Sequence, residues 1–156
     1  MSGALITLKK DLEELFKFLD NRYCINSGGC CYVALCLAEE LEKLRVPYKL
    51  VLYDDNLKWW SARFLIRMSI KHRTRKSIIG TKNRTCYHYA ILVDDLGILN
   101  GYEEEKPFEI SDLNSDDLRW IYETGNWNSC YDTRLNEIIK NYIQLIFKSY
   151  EIREGN

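Results

Sequence analysis

Proline occurs only twice in these 156 residues, and Pro47 separates a helical pattern from an extended one, which constrains the fold more than any other residue. Before it, Cys30, Ala34, Leu37, Leu41 and Leu44 recur at spacings of four and three, the stripe of a helix with a buried face. Glu39, Glu40, Glu42 and Lys43 fall mainly on the other side. Proline lacks an amide donor and restricts the residue before it, so Val46-Pro47 ends the helix. Tyr48 to Tyr53, rich in aromatic and branched residues, then reads as a strand. Upstream, Asn26-Ser27-Gly28-Gly29 is a break, which puts Cys30 in the first helical turn.

The flanking segments follow the same rules. Leu8, Leu12, Leu15 and Leu19 mark an amphipathic helix between Leu5 and Asn21. Asp54-Asp55-Asn56 is a turn, and Leu57 to Ile70 reads as helix in preference to strand. Lys71, Arg73, Arg75, Lys76, Lys82 and Arg84 make 71–84 an exposed basic loop or edge. Tyr87 to Val93 and Ile98 to Tyr102 form a hairpin about Asp94-Asp95-Leu96-Gly97, and Glu103 to Ser115 is acidic and irregular. A short helix spans Asp116 to Glu123, broken by Gly125-Asn126-Trp127-Asn128. Asp132 caps a last helix whose buried face is Leu135, Ile138, Ile139, Tyr142 and Ile146. Helices, then a small antiparallel sheet, then helices predict an α+β fold in one domain spanning 1–156.

With 46% hydrophobic residues the chain has material for one well-buried core. Its 22 basic and 23 acidic residues nearly cancel, so no global field draws it to nucleic acid. The basic segment lacks interleaved aromatics for base stacking and reads as solvated surface. No apolar run approaches the roughly 18 residues of a membrane span, and the N-terminus lacks a secretory pattern, so a cytoplasmic location is expected. In that compartment the six cysteines are expected to be free thiols.

A thiol is strongly nucleophilic only as thiolate, and the unpaired amides and positive dipole at a helix start stabilise that charge. Cys30 stands there, with Gly28 and Gly29 leaving room for a substrate carbonyl and its own amide a candidate oxyanion donor. Of the two histidines, His72 falls by the basic loop and His88 near the start of a core strand, so His88 is the better base. Asn100, on the partner strand, is the candidate to hold the ring. A loop of Asp94-Asp95-Leu96 pairs Val93 with Gly97 and makes His88 and Asn100 diagonal neighbours, about 7–8 Å apart between Cα atoms. A loop of Asp95-Leu96-Gly97 leaves them four residues out of step. Cys31 is the rival nucleophile by a one-residue shift, while Cys36 and Cys130 read as packing residues.

These residues resemble a known family. Gly28-Gly29-Cys30-Cys31-Tyr32-Val33-Ala34, running through Leu41 to Leu44-Arg45-Val46-Pro47-Tyr48, looks like the nucleophile helix of transglutaminase-like proteins in the papain-like cysteine peptidase superfamily. There a G-x-C motif opens a helix that ends in an apolar-Pro step into a strand. A histidine opens a later strand, and Asp or Asn stands on the next. His88 and Asn100 match in order and spacing, over about Asn26 to Tyr102. The resemblance implies a nucleophile helix packed on a small antiparallel sheet. It also implies a Cys30-His88-Asn100 triad, a protein, peptide or small amide substrate, and no cofactor. Two other readings stand beside it. One is a non-catalytic interaction module, binding a protein through its acidic 103–117 segment or an anion through its basic loop. The other is a zinc domain using Cys24, Cys30, Cys31, Cys86 and His88.

Overall fold

The computed structural model describes residues 3–26, 28–53, 60–73, 88–102, 107–124 and 132–154. In chain order these form helix α1 (Gly3–Tyr23), helix α2 (Cys30–Lys43), strand β1 (Lys49–Tyr53), helix α3 (Trp60–His72), strands β2 (His88–Val93), β3 (Gly97–Leu99) and β4 (Phe108–Ile110), helix α4 (Ser115–Thr124), a 3₁₀ turn (Thr133–Leu135) and helix α5 (Asn136–Glu154). The class is α+β, as expected. Most of the basic segment 71–84, together with Cys86, Trp127 and Cys130, lies outside the described residues.

The α2 helix is the centre of the packing. Ten of its fourteen residues are buried, including Val33, Leu35 and Ala38 as well as Cys30, Ala34, Leu37 and Leu41 of the anticipated stripe, so it is enclosed by neighbours on more than one side; Leu44, just past the helix, is half-buried. Those neighbours are α4, α5 and β2. Each fully buried leucine on it contributes roughly 1.5–3 kcal/mol. Proline does not stop α2. The chain leaves the helix earlier, through a left-handed Arg45 (φ 57). The Val46 amide donates to the Leu41 carbonyl and the Arg45 amide to that of Glu42, a Schellman motif. Asp132 does cap: its carboxylate accepts from the Arg134 amide at 2.9 Å, starting the 3₁₀ turn that leads into α5.

The sheet is antiparallel in the order β3-β2-β1-β4. The hairpin takes the register in which Val93 faces Gly97 and Ile91 faces Leu99. Strand β4 was not anticipated. Phe108 and Ile110 point inward and Glu109 outward, a pattern too short to register against the surrounding acidic residues. Leu50, Leu52, Tyr89, Ile91 and Val93 face the helical core, whereas Val51, Tyr53 and Ala90 form a smaller cluster on the other face.

Polar groups fasten the helices around α2. Glu39 pairs with Arg119 of α4 and, at 3.6 Å, with Lys140 of α5. Glu42 accepts from the Tyr48 hydroxyl and from both the amide and the hydroxyl of Ser115, each at 2.7 Å. Burial alone raises the Glu42 carboxyl pKa, but the Ser115 and Tyr48 donors outweigh it and hold the group below the ordinary range. Because the folded value is the lower one, this stabilisation is complete above the unfolded value near 4.5 and is lost as pH falls through the folded value. Glu42→Gln is therefore expected to cost about 0.5–1 kcal/mol at pH 7, a modest figure because the residue is solvent-exposed. In urea denaturation at stepped pH, its deficit against wild type should close towards pH 3.

Candidate active site

The turn between α1 and α2 is built to start a helix at Cys30. Cys24 (φ 52) closes α1, and the Asp20 carboxylate accepts from the Asn26 amide at 2.9 Å. Gly28 sits at φ 122, a conformation that side chains resist, and the Gly29 amide donates to the Ile25 carbonyl at 2.6 Å. The Val33 amide then donates to the Gly29 carbonyl at 3.0 Å, the first bond of α2. Cys30 is thus in the first turn, 2% exposed, and Cys31 beside it is 1% exposed.

Only residues 44–48 join α2 to β1, so the chain doubles back and β1 runs against α2. Strand β2 is antiparallel to β1 and therefore runs alongside α2. The starts of α2 and β2 and the ends of β1 and β3 consequently share one end of the domain. A hydrogen bond there, from the Asn100 side-chain amide to Asn26 Oδ1 at 3.2 Å, ties the end of the hairpin to the turn feeding α2.

His88 is completely buried at this end. Its Nε2 lies 2.5 Å from the backbone carbonyl oxygen of Asn100. A carbonyl only accepts, so this bond requires the proton on Nε2, and in the neutral ring Nδ1 is left as the basic nitrogen. The imidazole packs against both Tyr53 and Tyr102, at centroid distances of 5.6 and 4.4 Å. Asn100 meets the ring through its main-chain carbonyl, while its side chain reaches Asn26. Strand β3 stops at Leu99, and Asn100 turns left-handed (φ 59), so its main chain rather than its side chain meets the imidazole. Asparagine tolerates that conformation better than most residues.

Strand alternation adds a second constraint. His88 stands directly opposite Tyr53, on the face of the sheet away from Tyr89, Leu52 and the helical core that contains Cys30. At that end of the sheet the ring meets Asn100, whose side chain reaches Asn26. Beside that end opens a cleft of about 450 Å³, lined by Phe16, Lys17 and Asp20 of α1 and by Asn26, Asn100 and Tyr102. Cys30 and His88 are not among its walls. Asn100 and Tyr102 are, and both touch the imidazole.

The other cysteines divide by burial. The four described cysteines are free thiols, and of these Cys24 is exposed. Burial pushes the Cys36 thiol up to about 12, leaving it almost wholly protonated at neutral pH. Among the described residues no three His, Cys, Asp or Glu side chains gather as metal ligands. Among the described residues, no helix is long and apolar enough to cross a membrane.

Reading the residues alone missed Tyr53, Tyr102 and Asn26. One signal was available: Asn100-Gly101 is a turn dipeptide and marks the strand's end before Tyr102. No family model matches the chain, and no curated protein and no solved structure is significantly similar to it.

Proposed function

We propose that this chain is a cysteine-dependent acyl-transfer enzyme of papain-like, transglutaminase-like type, acting on a protein, peptide or small amide. The Cys30 thiolate attacks the carbonyl carbon, His88 takes the thiol proton at Nδ1 and returns it to the leaving amine or alkoxide, and a thioester remains on Cys30. Attack by water releases the acid, as in a peptidase or amidase; attack by an amine forms a new amide. Neither route needs a cofactor. The observation that carries this reading is the buried His88, held through Nε2 by a carbonyl at the end of the sheet where α2 begins. An imidazole pinned in one tautomer with Nδ1 basic is what a cysteine nucleophile requires of its base.

A second reading has its own support. Cys30 is 2% exposed and packs within the hydrophobic core, as expected of an interaction module that uses the cysteine for packing. Iodoacetamide alkylation over a pH series, resolved by peptide mass mapping, separates the two. For an enzyme, Cys30 alkylates rapidly below pH 7 and slows in His88→Ala, while exposed Cys24 reacts at an ordinary thiol rate and Cys36 stays inert. Cys30 reacting no faster than Cys24, with or without His88, establishes the module.

A further inference from the structure

The Asn100 carbonyl can hold His88 only while the chain after β3 stays in place, and one side chain grips that chain. The Tyr53 hydroxyl, at the end of β1, accepts from the Tyr102 amide at 3.1 Å and lies 3.3 Å from the Tyr102 carbonyl, to which it donates. Tyr53 is 1% exposed, so its hydroxyl is held in the interior while Tyr102, 38% exposed, lies at the surface. Between Asn100 and the gripped Tyr102, Gly101 has no room for a side chain. A Cβ there would stand 2.6 Å from the Tyr53 hydroxyl and 2.3 Å from Ile98 Cγ2. The Tyr53 ring also lies 5.3 Å from that of Tyr102 and 5.6 Å from the imidazole. A single buried phenol thus contacts the base and fixes the backbone that carries the base's hydrogen-bond acceptor.

We infer that Tyr53 is a positioning residue: through its hydroxyl it holds the 100–102 backbone so that the Asn100 carbonyl keeps His88 in the Nε2–H tautomer. Its value to catalysis rests on the reading of His88 as base; its effect on the tautomer does not. Any residue that tolerates a left-handed backbone could supply the carbonyl at position 100, but only a phenol opposite His88 reaches both Tyr102 groups. Phenylalanine keeps the ring contacts and removes the clamp.

The test is Tyr53→Phe in ¹⁵N-histidine-labelled protein. With only His72 and His88 in the chain, and His72 exposed, the two ring signals are assignable by His72→Gln. Long-range proton–nitrogen spectra report which ring nitrogen carries the proton. Wild-type His88 should show one Nε2–H tautomer with a slowly exchanging proton. Tyr53→Phe should give a mixed tautomer, with Nε2–H exchange at least roughly tenfold faster, the equivalent of about one lost hydrogen bond. Gly101→Ala, which crowds the same hydroxyl, should reproduce the change, so the result does not depend on one variant folding. An unchanged His88 tautomer and exchange rate in folded Tyr53→Phe overturns the inference. The alkylation rate of Cys30 in the same samples separates the two claims. A tautomer shift with no His88-dependent Cys30 reactivity in wild type keeps the clamp and removes the catalytic role. A shift accompanied by a roughly tenfold slower Cys30 supports both.

Discussion

Cys30→Ala is expected to lower turnover of an activated acyl ester by at least about 10³-fold while leaving the fold intact, because a covalent route has no substitute nucleophile. His88→Ala should cost about 10²–10⁴-fold, the usual range for a general base. The assay is release of p-nitrophenol from p-nitrophenyl acetate, run with and without an added primary amine, and circular dichroism checks the fold. Capture of the acyl group by the amine separates a transferase from a hydrolase. Cys31→Ala is the essential control. It should retain most activity, since Cys31 sits one position further into α2 and is as deeply buried as its neighbour. If Cys31→Ala is dead and Cys30→Ala active, the nucleophile is Cys31. Equal, unchanged rates in both variants leave no cysteine chemistry at this helix start and return the chain to the interaction-module reading.

Phe147→Ala is expected to destabilise the protein by about 3–5 kcal/mol, a large fraction of the roughly 5–15 kcal/mol available to a domain. Phe147 is 1% exposed and closes a face of α5 begun by Ile139 and Ile143, both fully buried. Tyr142→Ala should cost under about 1 kcal/mol. Tyr142 is 39% exposed, and its main ring partner is Phe18, itself 47% exposed, at 6.0 Å. Chemical denaturation of the two variants in parallel measures the difference. A larger loss for Tyr142→Ala would place the buried face of α5 one residue away from where the structure has it.

That comparison touches the one helix whose face was misread from the residues. The expected face was Leu135, Ile138, Ile139, Tyr142 and Ile146; Ile139 is buried and Leu135 and Ile146 pack against the core, but Ile138 and Tyr142 are exposed and the core takes Ile143 and Phe147 instead. Helix α5 carries two overlapping apolar stripes, 138/142/145 and 139/143/147, so periodicity alone could not choose between them. Docking against α1 and α2 chose. Helix α1 carries a single stripe, and all four of its predicted leucines are buried.

The candidate site divides in the same way. Placing Cys30 in a first turn needed only the glycines before it and the stripe after it, because both are local. The hairpin register was also within reach, since a short loop allows few pairings and the observed one was among them. What local pattern could not supply was which group of Asn100 meets His88. That depends on Asn100 leaving the strand left-handed, on Gly101 having no room for a side chain, and on Tyr53, 49 residues before Tyr102, hydrogen-bonding the Tyr102 backbone.

By itself the sequence determined the class of fold, the order of most elements, the helix that starts at Cys30 and the histidine that starts a strand, because each of these follows from short-range periodicity and backbone chemistry. Only the tertiary structure decided that α2 is enclosed by helices and sheet, that β4 joins the sheet, that His88 turns to the Tyr53 face, and that a carbonyl holds its ring. Those outcomes come from contacts between distant segments, whose free energies are set by packing and desolvation when the segments meet, and no local stretch of residues encodes them.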